Sequence, residues 1–223
     1  MYLVKTPWWL RAIYPQLIWR MPTQEKIIYL SFDDGPHVTA TPFVLDALAQ
    51  YNAKASFFCI GKNVLEHPAI YARILQEGHS VGNHTQHHAN GWKVSNEAYF
   101  SEIDQAAELI HSQFFRPPYG RIKRSQINKL IRVSDSHLSN DVTTTAYSNM
   151  EQPGYKIIMW SVLSGDFDTT LSAAACTKNV LENTGRGSIV VFHDSTKAWD
   201  RMSVALPTVL EHFSGKGYRF EAL

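Results

Sequence analysis

Apolar residues in this chain come in short, dense runs separated by amphipathic stretches. KIIYLSF, KASFFCI, HSVGNH, QFFRPP, KIIMWSVL, GSIVVFH and YRFEAL are each rich in β-branched or aromatic residues or bounded by Gly, Pro and Asn, the pattern of buried strands. Most are separated by segments with apolar residues at helical spacing, which predict helices over 41–51, 63–77, 96–111, 121–132, 172–183 and 201–213. Strands alternating with helices predict βα units, parallel pairing and right-handed crossovers. The fold expected is therefore α/β: a distorted (β/α) barrel of about seven parallel strands with outer helices, an incomplete relative of the eight-stranded TIM barrel.

Two segments stand outside this rhythm. The polar stretch SDSHLSNDVTTTAYSNMEQPG, 134–154, has little periodicity and reads as a peripheral insertion on the helix-to-strand side. Residues 1–25 read as an extension packing on a domain that spans 26–223. The opening MYLVKTPWWLRAIYPQLIWRMP is interrupted by Pro7, Arg11 and Pro15 and shows no small-residue cleavage site, so neither a membrane span nor an export signal is recognised in it. Cytoplasmic or membrane-proximal action is expected, and Trp8, Trp9 and Trp19 leave peripheral contact with a membrane surface open.

Composition narrows the partners. The 223 residues are 44% hydrophobic, enough for a substantial core, and carry a formal charge of +1, which offers no electrostatic footprint for nucleic acid. The two cysteines, Cys59 and Cys176, indicate neither a disulfide framework nor a thiolate metal site. A monomer is expected.

Polar residues gather where the apolar runs end: Asp33 and Asp34, then His84 and His88, Arg116 and Tyr119, Asp166, and His193. In a parallel barrel those ends open on one face, so residues more than a hundred positions apart converge. Adjacent carboxylates repel unless a cation lies nearby. In NHTQHH, a helical turn would put His84 and His88 at i and i+4 on one side. Two imidazoles and a carboxylate from DDGP suit zinc or another first-row divalent metal such as cobalt, nickel or manganese, with positions left open for water and substrate. Singly, each group has an ordinary explanation: a turn after a strand, a solvated histidine, a surface arginine, a core histidine bonded to Asp194. Independent accidents are not expected to supply base, metal site, arginine and acid together.

SFDDGP, HTQHH, RPPYG, WSVLSGDF and VVFHDS, in that order, resemble the five motifs of the polysaccharide deacetylases, the NodB-homology group or carbohydrate esterase family 4, over roughly residues 26–223. The resemblance implies Asp33 as catalytic base and Asp34, His84 and His88 as metal ligands. It implies Arg116 as the group orienting the base and His193 as general acid. Tyr119 would wall the substrate groove and offer a backbone N–H to an oxyanion, and Val191 would line the acetyl pocket. The fourth motif departs from the family's Asp-x-x-Asp-Trp, with Leu163 at the first Asp and Phe167 at the Trp. That absence leaves the partner of His193 open, with Asp166 the substitute candidate, while Phe167 keeps an aromatic face for a sugar ring. The implied activity is metal-dependent removal of N-acetyl groups from an amino-sugar glycan. Hydrolysis of another amide or of an O-acetyl ester, or glycan binding without turnover, are the alternatives.

Overall fold

The computed structural model describes residues 2–132 and 154–223. The stretch expected to form a polar insertion, 134–154, lies outside the described residues except for Gly154. The strands are β1 (Ile27–Asp33), β2 (Ala55–Cys59), β3 (Ser80–Asn83), β4 (Phe114–Phe115), β5 (Lys156–Ile157), β6 (Val162–Leu163), β7 (Ile189–His193) and β8 (Arg219–Phe220). The helices are α1 (Trp8–Ile13), α2 (Ala40–Gln50), α3 (Gly61–Glu66), α4 (Pro68–Gln76), α5 (Asn96–Ala107), α6 (Arg124–Arg132), α7 (Ala173–Asn183) and α8 (Trp199–Gly215), and Pro118–Gly120 form a 3₁₀ turn.

Seven strands follow the order β5-β4-β3-β2-β1-β7-β6, all neighbours parallel, and β8 joins the start of β1. This is a half-barrel wrapped by helices, as the alternating pattern predicts. β1 runs through its middle, and every residue of it except Tyr29 is buried, which explains why IIYLSFD is almost wholly apolar rather than alternating. Phe32, Phe57 and Phe192 stack between the sheet and the outer helices, whereas Phe58, Ile158 and Ile189 form a smaller cluster.

Three expectations are corrected. The helix over 63–77 is two helices, because Pro68 opens α4 and forces His67 out of the helical region at φ −131°, ψ 54°. The run KIIMWSVL is two short strands, β5 and β6, that do not pair with each other. Across that seam lies the N-terminal segment, with Ile18 bridged to Ile158, Lys5 to Val162 and Arg20 to Ser188. Trp19 is no membrane-facing ring: it is 8% exposed and its Nε1–H donates to the Tyr14 carbonyl at 3.0 Å. Trp8 and Trp9 are exposed. Among the described residues no helix is long and apolar enough to cross a membrane.

Candidate active site

The carboxyl end of β1 carries Asp33 and Asp34 into different environments. Asp33, the last residue of the strand, is buried and accepts a hydrogen bond from Arg116 Nη1 at 2.6 Å. Arg116 is fully enclosed: Nη1 also donates to Ser31 Oγ at 2.8 Å, Nε to the Ile158 carbonyl and Nη2 to the Met159 carbonyl, each at 3.1 Å. Its guanidinium lies 3.9 Å from the centre of the Phe58 ring. Burial lowers the Arg116 pKa and the Asp33 charge opposes that shift. Pro117 and Pro118 follow directly, so the chain turns away while the side chain reaches back under the sheet end.

Asp34 adopts φ 82° and its carbonyl accepts from Asn63 Nδ2 at 2.7 Å. Its Oδ1 is buried without a hydrogen-bond partner among the described residues, 3.3 Å from His88 Nε2 and 3.8 Å from His84 Nε2. The three ligand atoms all lie within 4.8 Å of one another. His84 Nδ1 sits 2.7 Å from the Arg116 carbonyl, an acceptor, so that nitrogen carries the proton and Nε2 presents its lone pair. His84 is held neutral, its pKa pushed down to about 3 by burial first and by His88 second. Burial also lowers His88, against the pull of Asp34. An orphaned carboxylate oxygen facing two neutral imidazoles is a donor set that fits a divalent cation.

The histidines do not converge by helical spacing. Residues 84–90 form a loop in which Thr85 (φ 65°) and His88 (φ 59°) are left-handed. Asn83 Oδ1 accepts from the Thr85 N–H at 2.8 Å, and Thr85 Oγ1 accepts from the Ala89 N–H at 2.9 Å. These side-chain bonds replace the helical ladder and set both rings on one side.

Across the sheet, His193 at the end of β7 is the direct register partner of Asp33. Both oxygens of the fully buried Asp166 are spent on it: Oδ1 lies 2.8 Å from His193 Nδ1, and Oδ2 accepts the His193 backbone N–H at 2.7 Å. Burial works to lower the His193 pKa, but Asp166, with Asp34 and Asp33 behind it, raises it to about 10. Leu163 is buried in β6 beside Val191 of β7; the carboxylate partner of the imidazole is thus Asp166. Asp194 points the other way from His193, accepting from the Gly35 N–H at 3.0 Å and from the Thr41 hydroxyl, and burial pushes its carboxyl up to about 8. A Cβ on Gly35 would stand 2.1 Å from Asp194 Oδ2, so only glycine fits between the two loops.

The remaining expected residues surround this core. Tyr119 is exposed, takes φ 61°, and places its hydroxyl 3.1 Å from His88 Nδ1. Phe167 stands edge-on to His193, ring centres 5.2 Å apart, and packs on Tyr2 from the N-terminal segment. Val191 is buried two residues below His193, on the same side of β7. Sequence reasoning did not single out Ser31, Asn63, Thr41 or Tyr2. Ser31 had a signal, since it is polar inside an apolar strand and two residues from Asp33; the others act through tertiary contacts that no local pattern marks.

A half-barrel that gathers a cation-ready cluster, an arginine-held carboxylate and a carboxylate-held imidazole at its strand ends has the build of a hydrolytic enzyme. The sequence model of the family described as polysaccharide deacetylase matches residues 20–133, and the chain belongs to that family. Two peptidoglycan-N-acetylglucosamine deacetylases of Bacillus cereus are similar to it. One is 34% identical over 209 residues, covering 91% of this chain and 68% of the relative. The other is 32% identical over 208 residues, covering 91% and 88%. The crystal structure of the Bc1960 peptidoglycan N-acetylglucosamine deacetylase superposes with a TM-score of 0.80 at 31% identity, covering 98% of this chain and 95% of that one.

Proposed function

We propose that this chain hydrolyses the acetamide of N-acetylglucosamine units in peptidoglycan or a peptidoglycan precursor, yielding acetate and a free amino sugar. The observation that carries the reading is the pairing of Asp33 and His193 as neighbours across β1 and β7, each locked by its own buried ion-pair partner, beside the Asp34, His84 and His88 cluster. The names of the similar B. cereus proteins support the substrate.

In this reading Asp34, His84 and His88 hold a divalent metal, zinc by the chemistry of the ligand set. When bound, such an ion supplies Lewis acidity to the carbonyl and a lower pKa to water. Asp33, hydrogen-bonded by Arg116, accepts the proton of the attacking water. The backbone N–H of Tyr119, turned by the left-handed conformation of that residue, donates to the developing oxyanion. His193 enters as imidazolium, with Nδ1–H bonded to Asp166, and delivers the Nε2 proton to the departing amine. Phe167 and Tyr119 wall the sugar, and Val191 lies beneath the acetyl group.

Leu163 does not speak for a domain without turnover, since Asp166 already pairs with the imidazole. Acetate measured from peptidoglycan fragments, N-acetylglucosamine oligomers and O-acetylated sugars tests the reading. Release from the first two, lost in Asp33→Asn, is expected. Release from O-acetyl esters alone would refute amide specificity.

A further inference from the structure

The loop that carries His84 and His88 also carries an aromatic residue that the reaction leaves unused. Trp92, in the 84–95 loop leaving β3, is 59% exposed, yet it is firmly held. Its Nε1–H donates to the Ile122 carbonyl at 3.1 Å and its backbone N–H to Asn90 Oδ1 at 3.1 Å. Ile122 belongs to the 116–123 loop leaving β4, and Arg121 of that loop sets its guanidinium 5.4 Å from the centre of the indole. Buried Gln126 ties the two loops together: its Nε2 donates to the Gly91 carbonyl at 3.0 Å and its Oε1 accepts the Lys123 N–H at 2.8 Å. A Cβ on Gly91 would stand 2.7 Å from the Arg121 carbonyl, so the loops meet there backbone to backbone. The indole is thus a large apolar surface left in water and fixed in one orientation, which is the preorganisation that a binding surface needs.

This platform is continuous with the catalytic groove. Tyr119, whose hydroxyl lies 3.1 Å from His88 Nδ1, is in the same loop as Arg121. Two residues of chain span at most about 7 Å, so Tyr119 and the Arg121–Trp92 pair are successive surfaces on the strand-end face. The charge around them has one sign. The loops 84–95 and 116–123 contain no Asp or Glu, and besides the enclosed Arg116 they carry Lys93, Arg121 and Lys123. Lys123 Nζ is spent on the Val94 carbonyl at 2.6 Å. Lys93 and Arg121 are exposed and meet no carboxylate among the described residues. An apolar ring face suits the face of a sugar, and a guanidinium fork beside it suits a carboxylate.

We infer that Trp92 stacks on the sugar next to the one that is deacetylated and that Arg121 binds a carboxylate borne by that neighbour, so that acidic glycan strands bind more tightly than neutral N-acetylglucosamine oligomers. The inference rests on the proposed hydrolysis of a glycan acetamide and adds to it what the flanking unit must carry. The carboxylate belongs either to the neighbouring sugar itself or to a peptide attached to it. Neither residue touches the reacting atoms, so both act on binding and leave the chemical step alone.

The test uses three tetrasaccharides: a neutral N-acetylglucosamine oligomer, a strand whose alternate sugars bear a free carboxylate, and the same strand with an acidic peptide attached there. KM and kcat for acetate release are measured on the metal-loaded chain for wild type, Trp92→Ala, Arg121→Met and, as control, Lys178→Met on the exposed face of α7, with thermal melts confirming that each variant folds. Calorimetric binding of the same glycans is measured with Asp33→Asn added to each. Trp92→Ala should raise KM and Kd about three- to tenfold for all three glycans with kcat unchanged. Arg121→Met should raise them about fivefold or more for carboxylate-bearing glycans alone, and Lys178→Met should change nothing. An Arg121→Met loss on the peptide-free strand assigns the carboxylate to the sugar, and a loss on the peptide-bearing strand assigns it to the peptide. Wild-type KM and Kd in Trp92→Ala, or an Arg121→Met loss that is absent from both acidic strands or equal on the neutral oligomer, would overturn the inference. Glycans bound with the expected losses but never deacetylated by the wild type would instead refute the proposed reaction and leave the platform standing.

Discussion

Replacing Asp166 by Asn leaves the shape of the buried pair at β7 almost unchanged and removes its charge. In the native chain the carboxylate meets His193 at two points, 2.8 Å to Nδ1 and 2.7 Å to the backbone N–H, and it leads the forces that oppose burial and raise the imidazole pKa to about 10. A cation on Asp34 offsets part of the support that Asp34 gives, so the loaded enzyme should titrate below 10 but above the ordinary 6.5. A general acid must be protonated, so the rate falls as pH rises through this pKa. Without Asp166, burial is no longer outweighed, and the alkaline limb should move down by two units or more, to about pH 6–7. An acid with a pKa near 6 is only about one-tenth protonated at pH 7, and a misoriented imidazole loses more, so kcat/KM at pH 8 should drop by about 10² to 10⁴. Leu163→Asp should leave the limb where it is, because Asp166 already occupies the imidazole. The assay is the pH profile of kcat/KM for acetate release from an N-acetylglucosamine oligomer with saturating metal. An Asp166→Asn profile that keeps the wild-type limb, or a Leu163→Asp profile that shifts it upward, would refute this assignment.

Asp34→Ala should lose metal on dialysis while Asp33→Asn keeps it and loses rate, as read by elemental analysis alongside acetate release. Equal loss of metal would show that base and ligand are misassigned. Arg116→Met strands a buried Asp33 carboxylate, a perturbation that typically costs about 3–5 kcal/mol, and should lower Tm by roughly 6–20 °C at this chain length, measured by calorimetry. His79, buried and accepting from the Ala55 N–H, has its pKa pushed to about 4, chiefly by burial. The unfolded chain therefore takes up this proton first as pH falls below 6.5, and stability should decline by on the order of 3 kcal/mol between pH 6.5 and about 4. Urea denaturation across that range should show a shallower slope in His79→Gln.

The strand ends were legible because chemistry there breaks an otherwise apolar pattern. Asp33, Asp34, Arg116 and His193 are each charged or titratable residues next to runs that would be wholly buried, and a parallel sheet brings such breaks to one face. What was not legible depends on the path of the chain between them. NHTQHH has helical spacing, yet Asn83 and Thr85 bond locally and make a loop of it. KIIMWSVL has the composition of one strand, but its middle, around Ile158, is claimed by Ile18, which no periodicity in the sequence foretells. The fourth motif looked incomplete at Leu163 because the sequence does not show which of two carboxylate positions faces the imidazole; the loop at Gly165 (φ 82°) turns Asp166 toward it. Asp194 adjoins His193 in sequence, but neighbours on a strand point to opposite sides, which gives it to Gly35 and Thr41 instead.

The most direct measurement is acetate released per chain from purified peptidoglycan fragments by the zinc-loaded protein, with mass spectrometry of the product sugars, run beside Asp33→Asn and His193→Ala. Loss of one acetyl mass per N-acetylglucosamine in the wild type, with a rate reduced by about 10² or more in each variant, is the expected result. Turnover that survives in both variants, or no acetate from any N-acetylated glycan while zinc is bound at Asp34, His84 and His88, would contradict it.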